Sequence, residues 1–472
     1  MPVNTTHPQY DAHVSQWQRC RDAVDGSDAV KARGEAYLPK LGGQDADEYK
    51  AYKLRALWYG ASARTVQGLA GTVMRKQPVV EVPTALDDHL KDVTLTGISF
   101  PAFAKTTLEE VLKTGRYGVL VDMPEEAHDI QRPYYSAYIG ESIVNWTSKI
   151  VNGIPKLTQV ILCEHQWQPS AKDPYVLEDV ETYRVLTLTE LNQYEVVIYK
   201  KNPDKPDEWI IDRTIKPVFR GKPLDYIPFC FFGPNSITPA IEKPPILDLV
   251  DVNFSHYRSS ADLEHGRHFC GLPTPWVAGF PDTTVLKIGS SVAWVSSDPN
   301  AKADMLEFTG QGLGALETAL ESKEKLMAVL GARMLEEQKK LVEAADTLTM
   351  KYAGEQSVLR SVAATVSQGL SKLLEWTAVW MGVSPQEARK ATAQLNTDFL
   401  DSQMTFDELT KLVTVWQSGA ISYETMYYNM ERGEVTRPGI DWEKEKAQIE
   451  IEAPEPLPQN QPGDPTPQDQ AA

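Results

Sequence analysis

Residues 244–265 read PPILDLVDVNFSHYRSSADLEH, and this stretch decides the fold class because a helical period resumes here after a long β-rich run. Ile246, Val250, Phe254, Tyr257 and Ala261 follow one another at steps of four, four, three and four, so they share one helix face. Asp248, Asp251, Arg258 and Asp262 fall mostly elsewhere on the cylinder. Pro244 and Pro245 are a natural helix start, since the first turn has no use for their missing N–H groups. Upstream, LTQVILCEHQW, ETYRVLTLTE, QYEVVIYKK, EWIIDRTIKPV and IPFCFFG occupy residues 157–233, with Asp, Asn, Pro and Lys clusters between them. They predict an antiparallel sheet of hairpins. Helical crossovers between the strands are missing, which excludes a doubly wound nucleotide fold.

Working outward, the first third is helical in pattern. A helix is expected from Ala46 to Pro78, with Leu54, Leu57, Ala61, Val66, Leu69 and Val73 as its core stripe. A second runs from Pro101 to Gly115 and leads straight into the apolar strand YGVLVDMP. Beyond residue 265, short strands (TPWVAGF, VLKIG, SVAWVSS) form a small β excursion. The next helix covers roughly Leu313 to Met334 and carries Leu316, Leu320, Met327 and Leu330 on its apolar face. LEEQKKLVEAAD follows, and then about 35 residues of nearly uninterrupted helix pattern, in which Gly354 and Gly369 mark places to bend or pack closely. Thr405 and Glu408 form a capping-box start, Gly419 and Gly433 are stops, and Ser422 is a second N-cap. The Pro-rich final 20 residues read as disordered.

Composition narrows the function. The chain has 472 residues, 42% of them hydrophobic, and 47 Lys plus Arg against 65 Asp plus Glu give a net charge of -18. Such a surface repels nucleic acid and anionic lipid as a whole, so a polyanionic partner must be held locally or pass without being gripped. The four cysteines, Cys20, Cys163, Cys230 and Cys270, include no C-x-x-C pair, which argues against a disulfide scaffold or a thiolate zinc site. The amino-terminal stretch shows no signal-peptide pattern, and no apolar run reaches the 18 or so residues of a membrane span.

Catalytic motifs are absent. The sequence contains no G-x-x-x-x-G-K-[ST], no G-x-G-x-x-G after a strand, no H-E-x-x-H and no G-x-S-x-G. His256, His265, His268 and Cys270 crowd one stretch, but their spacing argues against a single metal site. The stretch LTKLVTVWQSGAISYETMYYNMERG has helix-turn-helix lengths, yet its second helix offers two acids against one Arg and one Asn, too few groups for a recognition helix.

The order of the pieces resembles the portal proteins of tailed bacteriophages. The stretches that carry the resemblance are LPKLGGQDADEYKAYKLRALWYGASARTVQGLAGTVMRKQP, RPYYSAYIGESIVNW, the PPILDL and HYRSSADLE segment, and FDELTKLVTVWQSGAISYET. The resemblance implies an α+β fold with a helical and β wing (1–243), a first stem helix (244–265) and a small α/β clip (266–311). A second stem helix (312–332), a tunnel loop (333–346), a long wing helix (347–382), a helical crown (383–452) and the Pro-rich tail (453–472) complete it. It further implies a ring, usually of twelve subunits, at one capsid vertex of the virion, assembled in the host cytoplasm, through which double-stranded DNA is packaged and ejected. Terminase, head-tail adaptor or neck proteins, and coat and scaffold proteins would be its partners, with no cofactor, no metal, no membrane and no enzymatic activity.

On this reading Arg333, Lys339 and Lys340 are the tunnel-loop contacts to DNA. Asp248, Asp251, Glu317, Glu321 and Glu324 are the hydrophilic stem positions, some facing the bore, where an acidic lining would reduce friction on DNA. Ile246, Val250, Phe254, Tyr257, Leu316, Leu320 and Met327 are the stem-packing residues, expected to lack a full partner within one subunit and so to drive ring formation. Two other readings remain: a different head-tail adaptor or minor capsid protein, and a metal-dependent hydrolase using His256, His265 and His268.

Overall fold

Gly115 adopts a left-handed φ of 68° that only glycine takes without strain, and this single residue turns a helix into the strand that anchors the body of the molecule. The computed structural model describes residues 2–124, 132–151, 153–170, 172–271, 274–280, 293–306, 310–334, 357–399, 404–433, 435–436 and 440–452. Lys339, Lys340, Gly354 and the Pro-rich tail lie outside the described residues. The chain is α+β and divides into two compact units between Asp398 and Phe399.

The first unit opens with α1 (Pro8–Asp25), α2 (Ser27–Ala32), α3 (Ala46–Arg55) and α4 (Ala61–Val73). The single helix expected from Ala46 to Pro78 is therefore two. An Asp45–Glu48 capping box starts α3, but Ala56 turns to ψ 130° and the chain leaves the helix until Gly60. Trp58 and Tyr59 occupy this break. Of the expected core stripe, Val66, Leu69 and Val73 are buried, whereas Leu54 is 75% and Leu57 61% exposed.

Next come β1 (Val79–Glu81), α5 (Asp87–Lys91), α6 (Phe100–Thr114), β2 (Tyr117–Asp122) and β3 (Tyr134–Ile139). His89 of α5 is fully buried, its ring 4.9 Å from that of Tyr135, and burial pushes its imidazole down to about 4. A β-carbon on Gly115 would come within 3.1 Å of Pro244, so the helix stop is also a contact with the start of a distant element.

β4 (Ile143–Val151), β5 (Ile154–Pro169), β6 (Leu177–Leu188), β7 (Tyr194–Lys201) and β8 (Trp209–Ile215) form one antiparallel meander in that order. Alternation gives it two faces. Trp146, Val160, Leu162, Leu186, Val196 and Ile198 enter the main core, while Val144, Ile161, Tyr183 and Val185 form a smaller cluster on the other side. IPFCFFG is the exception to the expected sheet. After the short β9 (Val218–Phe219) and β10 (Lys222–Pro223), its strand β11 (Phe229–Phe232) pairs with β2 in a separate sheet, ordered β11-β2-β3.

α7 (Leu247–Gly271) then runs six residues beyond the expected end at His265. β12 (Thr274–Ala278) pairs antiparallel with β13 (Lys302–Leu306), and α8 (Leu313–Arg333) returns along α7. α9 (Val358–Trp380) has 23 residues; of the long helix expected over 347–382, residues 347–356 lie outside the described residues. Ser357 is extended and caps it by accepting a hydrogen bond from the Arg360 amide, which fixes where this helix begins. Gly369 lets α9 lie directly on Phe232, where a β-carbon would meet the ring at 2.2 Å. α10 (Pro385–Ala388) and β14 (Thr392–Gln394) belong with this unit, because β14 pairs with β1. Residues 383–398, expected with the helical C-terminal segment, thus fold onto the body instead.

The second unit contains α11 (Phe406–Gln417), α12 (Tyr423–Arg432) and α13 (Trp442–Glu452). Thr405 and Glu408 form the anticipated capping box, and Ser422 caps α12. Tyr423 meets both Trp416 (5.7 Å) and Trp442 (6.4 Å), joining the three helices. Among the described residues no helix is long and apolar enough to cross a membrane.

Candidate functional site, the antiparallel helix pair

α7 is a core helix. Ile246, Val250, Phe254 and Tyr257 are all buried within the single chain, which corrects the expectation that this stripe lacks a full partner in one subunit. The cover comes from α1, α3, α4 and the loops around them. Phe254 packs on Tyr37 (4.5 Å) and Trp58 (5.1 Å), and Trp58 also meets Tyr257 (5.7 Å). Polar ties add direction. Asn253 Oδ1 accepts from the Ser62 hydroxyl at 2.8 Å, its amide donates to the Tyr59 carbonyl at 2.8 Å, and the Tyr52 hydroxyl donates to Asp262 at 2.6 Å.

α8 has one buried residue, Met327. Leu316 and Leu320 are half-buried, while Leu326 (46%) and Val329 (45%) are exposed on its outer side. The inner side is stitched to α7 along its length. Leu313 fills the space over Gly266, Arg267 pairs with Glu317 at 2.8 Å, and His256 Nε2 lies 3.2 Å from Glu324. Lys323 donates to the Ser259 hydroxyl at 2.6 Å and to the Ser255 carbonyl at 3.1 Å. Gly331 sits against Thr65 and Leu249. Burial lowers the His256 imidazole, with Glu324 pulling the other way, and burial also lowers the Lys323 ammonium.

The five acids singled out by sequence are mostly neutralised by neighbours. Asp248 pairs with Lys243 (2.7 Å), Asp251 with Arg19 (2.9 Å) and Glu317 with Arg267, whereas Glu324 meets His256, which burial keeps uncharged near neutral pH, as a hydrogen-bond partner and not as a neutralising cation. Glu321 is exposed and, among the described residues, has no ion-pair partner. Arg333 is the last residue of α8 and is exposed; its intended companions Lys339 and Lys340 lie outside the described residues.

The three histidines of the hydrolase reading each have a separate neighbour. His256 has Glu324, His265 lies edge-on to Tyr52 (5.2 Å) and Phe269 (4.7 Å), and His268 Nε2 meets the Arg55 guanidinium at 3.1 Å. An open groove of about 420 Å³ runs between Gly266, Phe269 and Cys270 of α7 and the Gly310–Leu313 turn, and its carboxylate, Asp262, is the one held by Tyr52. Among the described residues, the side chains that do converge with metal-ligand chemistry are Cys163, His165 and Glu181 on the five-stranded sheet. Sequence spacing hides them, because Glu181 arrives from the next strand. Burial pushes the Cys163 thiol up to about 11, which keeps it protonated and makes it a poor nucleophile.

Residues 245–381, the span from α7 through α9, match the family model described as a domain of unknown function, DUF4055. No curated protein matches the chain. Among solved structures, a chain of the virion of a native gene transfer agent particle is 12% identical, with 85% of this chain and 97% of that one covered at a TM-score of 0.36. A chain of the neck of the empty particle, computed with C6 symmetry, is also 12% identical (88% and 99% covered, TM-score 0.36). One from the neck of the native particle, computed with C12 symmetry, is 11% identical (84% and 97% covered, TM-score 0.35). Likenesses of this size carry no assignment of function.

Proposed function

We propose that this chain is the subunit of a portal-type ring in a tailed-phage-like particle, a conduit through which double-stranded DNA enters and leaves the capsid. The observation that carries the reading is the asymmetry of α8: its inner side is tied to α7, and its outer side leaves Leu326 and Val329 exposed over a helix of 21 residues. A helix of that length is about 31 Å long, enough to line a passage when copies stand side by side. Leu54 and Leu57, exposed where core was expected, flank Arg55, which reaches His268 of α7, and so widen the surface available to a neighbouring copy. The order of elements that resembles portal proteins supports the same conclusion.

In this function α7 and α8 are the stem and β12–β13 belongs to the clip that docks terminase and later the neck or adaptor proteins. Scaffold and coat proteins surround the ring during assembly in the host cytoplasm, and it remains at one vertex of the virion. No cofactor or catalytic step is required of it. Glu321 becomes the leading bore-facing acid, since it is exposed and alone of the five has neither an ion-pair nor a histidine partner among the described residues. Arg333, with Lys339 and Lys340, would touch passing phosphates too sparsely to grip them.

Mass measurement and electron microscopy of the purified full-length chain test this. A ring, expected to hold twelve subunits around a central channel, forms without nucleotide, and Val329→Asp leaves a folded monomer by circular dichroism. A wild-type chain that stays monomeric at micromolar concentration overturns the reading.

A further inference from the structure

The outer face of the meander carries an unassigned cluster. Cys163 and His165 are two apart on β5, so both point to the same side, and the register places His165 directly opposite Glu181 and Cys163 opposite Tyr183 on β6. Cys163 Sγ lies 3.6 Å from His165 Nε2 and 3.8 Å from Glu181 Oε1, and the three donor atoms all fall within 4.8 Å of one another. A tetrahedral zinc ion, with bonds of about 2.3 Å to sulfur and about 2.1 Å to nitrogen, holds those two ligand atoms roughly 3.6 Å apart. The ligand atoms therefore already stand at coordination spacing.

Their surroundings are arranged to match. His165 Nδ1 is 2.9 Å from Asp179 Oδ2; a proton held on Nδ1 by that carboxylate leaves the Nε2 lone pair aimed at the cluster. Glu181 is itself fixed, with Oε1 accepting from the Tyr183 hydroxyl at 2.9 Å and Oε2 2.8 Å from Lys201 Nζ. A mixed sulfur, nitrogen and oxygen set suits zinc or cobalt and disfavours calcium and magnesium, which take oxygen ligands.

We propose that Cys163, His165 and Glu181 form a binding site for one divalent cation of zinc's class, with Asp179 as the positioning residue and a water in the remaining position. The ion would clamp β5 to β6 just before both strands run out into the exposed tip marked by Trp167 and Leu177. This site is independent of ring formation.

The test uses full-length protein stripped with a chelator and titrated with Co²⁺, followed by displacement with Zn²⁺. One ion per chain is expected, with thiolate-to-cobalt charge-transfer absorption that disappears in Cys163→Ser. His165→Gln should weaken binding at least as strongly as Asp179→Asn, for which roughly a 10- to 100-fold loss is expected. Cys270→Ser should bind as the wild type does. Failure of the wild type to bind either ion, or undiminished binding in both Cys163→Ser and His165→Gln, overturns the proposal. Circular dichroism of each variant separates lost ligands from lost fold.

Discussion

α7 and α8 lie antiparallel, with similar lengths and mixed charges, yet one is built into the core and the other rests on it. α7 buries Val250, Phe254, Tyr257 and Ala261 completely or almost so, whereas α8 buries Met327. The difference comes from what stands behind each helix. α7 has α8 on one side and α1, α3 and α4 on others, while α8 meets α7 along its length and α4 only near Gly331. Pairing alone therefore does not set a helix's burial, and a helix with one covered side is the natural place for a second chain to bind.

The sharpest test of that contrast is truncation on each helix. Phe254→Ala should cost about 3–5 kcal/mol, because it empties a filled space among Tyr37 and Trp58. Leu326→Ala should cost under about 1 kcal/mol in a dissociated chain, since its side chain is already in water for nearly half its area. Denaturant unfolding measures both, and equal costs would erase the distinction.

An effect of about 3 kcal/mol is expected from acid, and it should fall on the body alone. The buried His89 imidazole is held near 4 against an ordinary value of 6.5, so folding favours its neutral form. Its contribution is fully present above pH 6.5 and is lost progressively as pH falls toward 4, where the unfolded chain takes up a proton that the folded chain refuses. His89→Gln should flatten that part of the stability profile; an unchanged slope would remove His89 as its source. The smallest effect belongs to the seam between the helices. Glu324→Gln should cost less than about 1 kcal/mol and should cost more at pH 5 than at pH 7.5, because His256 then loses the carboxylate that favours its charged form. A pH-independent loss would mean that packing, not charge, is what Glu324 supplies.

Much of this architecture is legible where a local signal has one meaning. Pro244 and Pro245 ahead of a helical period, Gly115 between helix and strand, and the Thr405–Glu408 box each define an element end without help from the rest of the chain. The failures occur where distant groups decide. Between Arg55 and Ala61 the one local signal is Gly60, which the helical period on both sides outweighs in a sequence reading; in the fold Trp58 and Tyr59 leave the helix and pack on Phe254, Tyr257 and His256. The apolar run at 229–232 reads as another hairpin strand and instead pairs with β2. At the proposed stem the apolar face of α7 was readable, but not that the chain itself covers it, nor that Lys243, Arg19, Arg267 and His256 answer four of the five acids. The Cys163, His165 and Glu181 cluster needed strand register, which a search for C-x-x-C spacing does not see.

The close approach of Gly115 to Pro244 also bears on the order of events during synthesis. Domains form first from the part of a chain that emerges first, and the seat for the start of α7 is a turn made long before α7 exists. The whole meander must emerge between the two, so α7 docks late and α8, which leans on it, later still. α9 and β14 emerge after both, so the body closes over Phe232 and along β1 only once the antiparallel pair is already outside the ribosome.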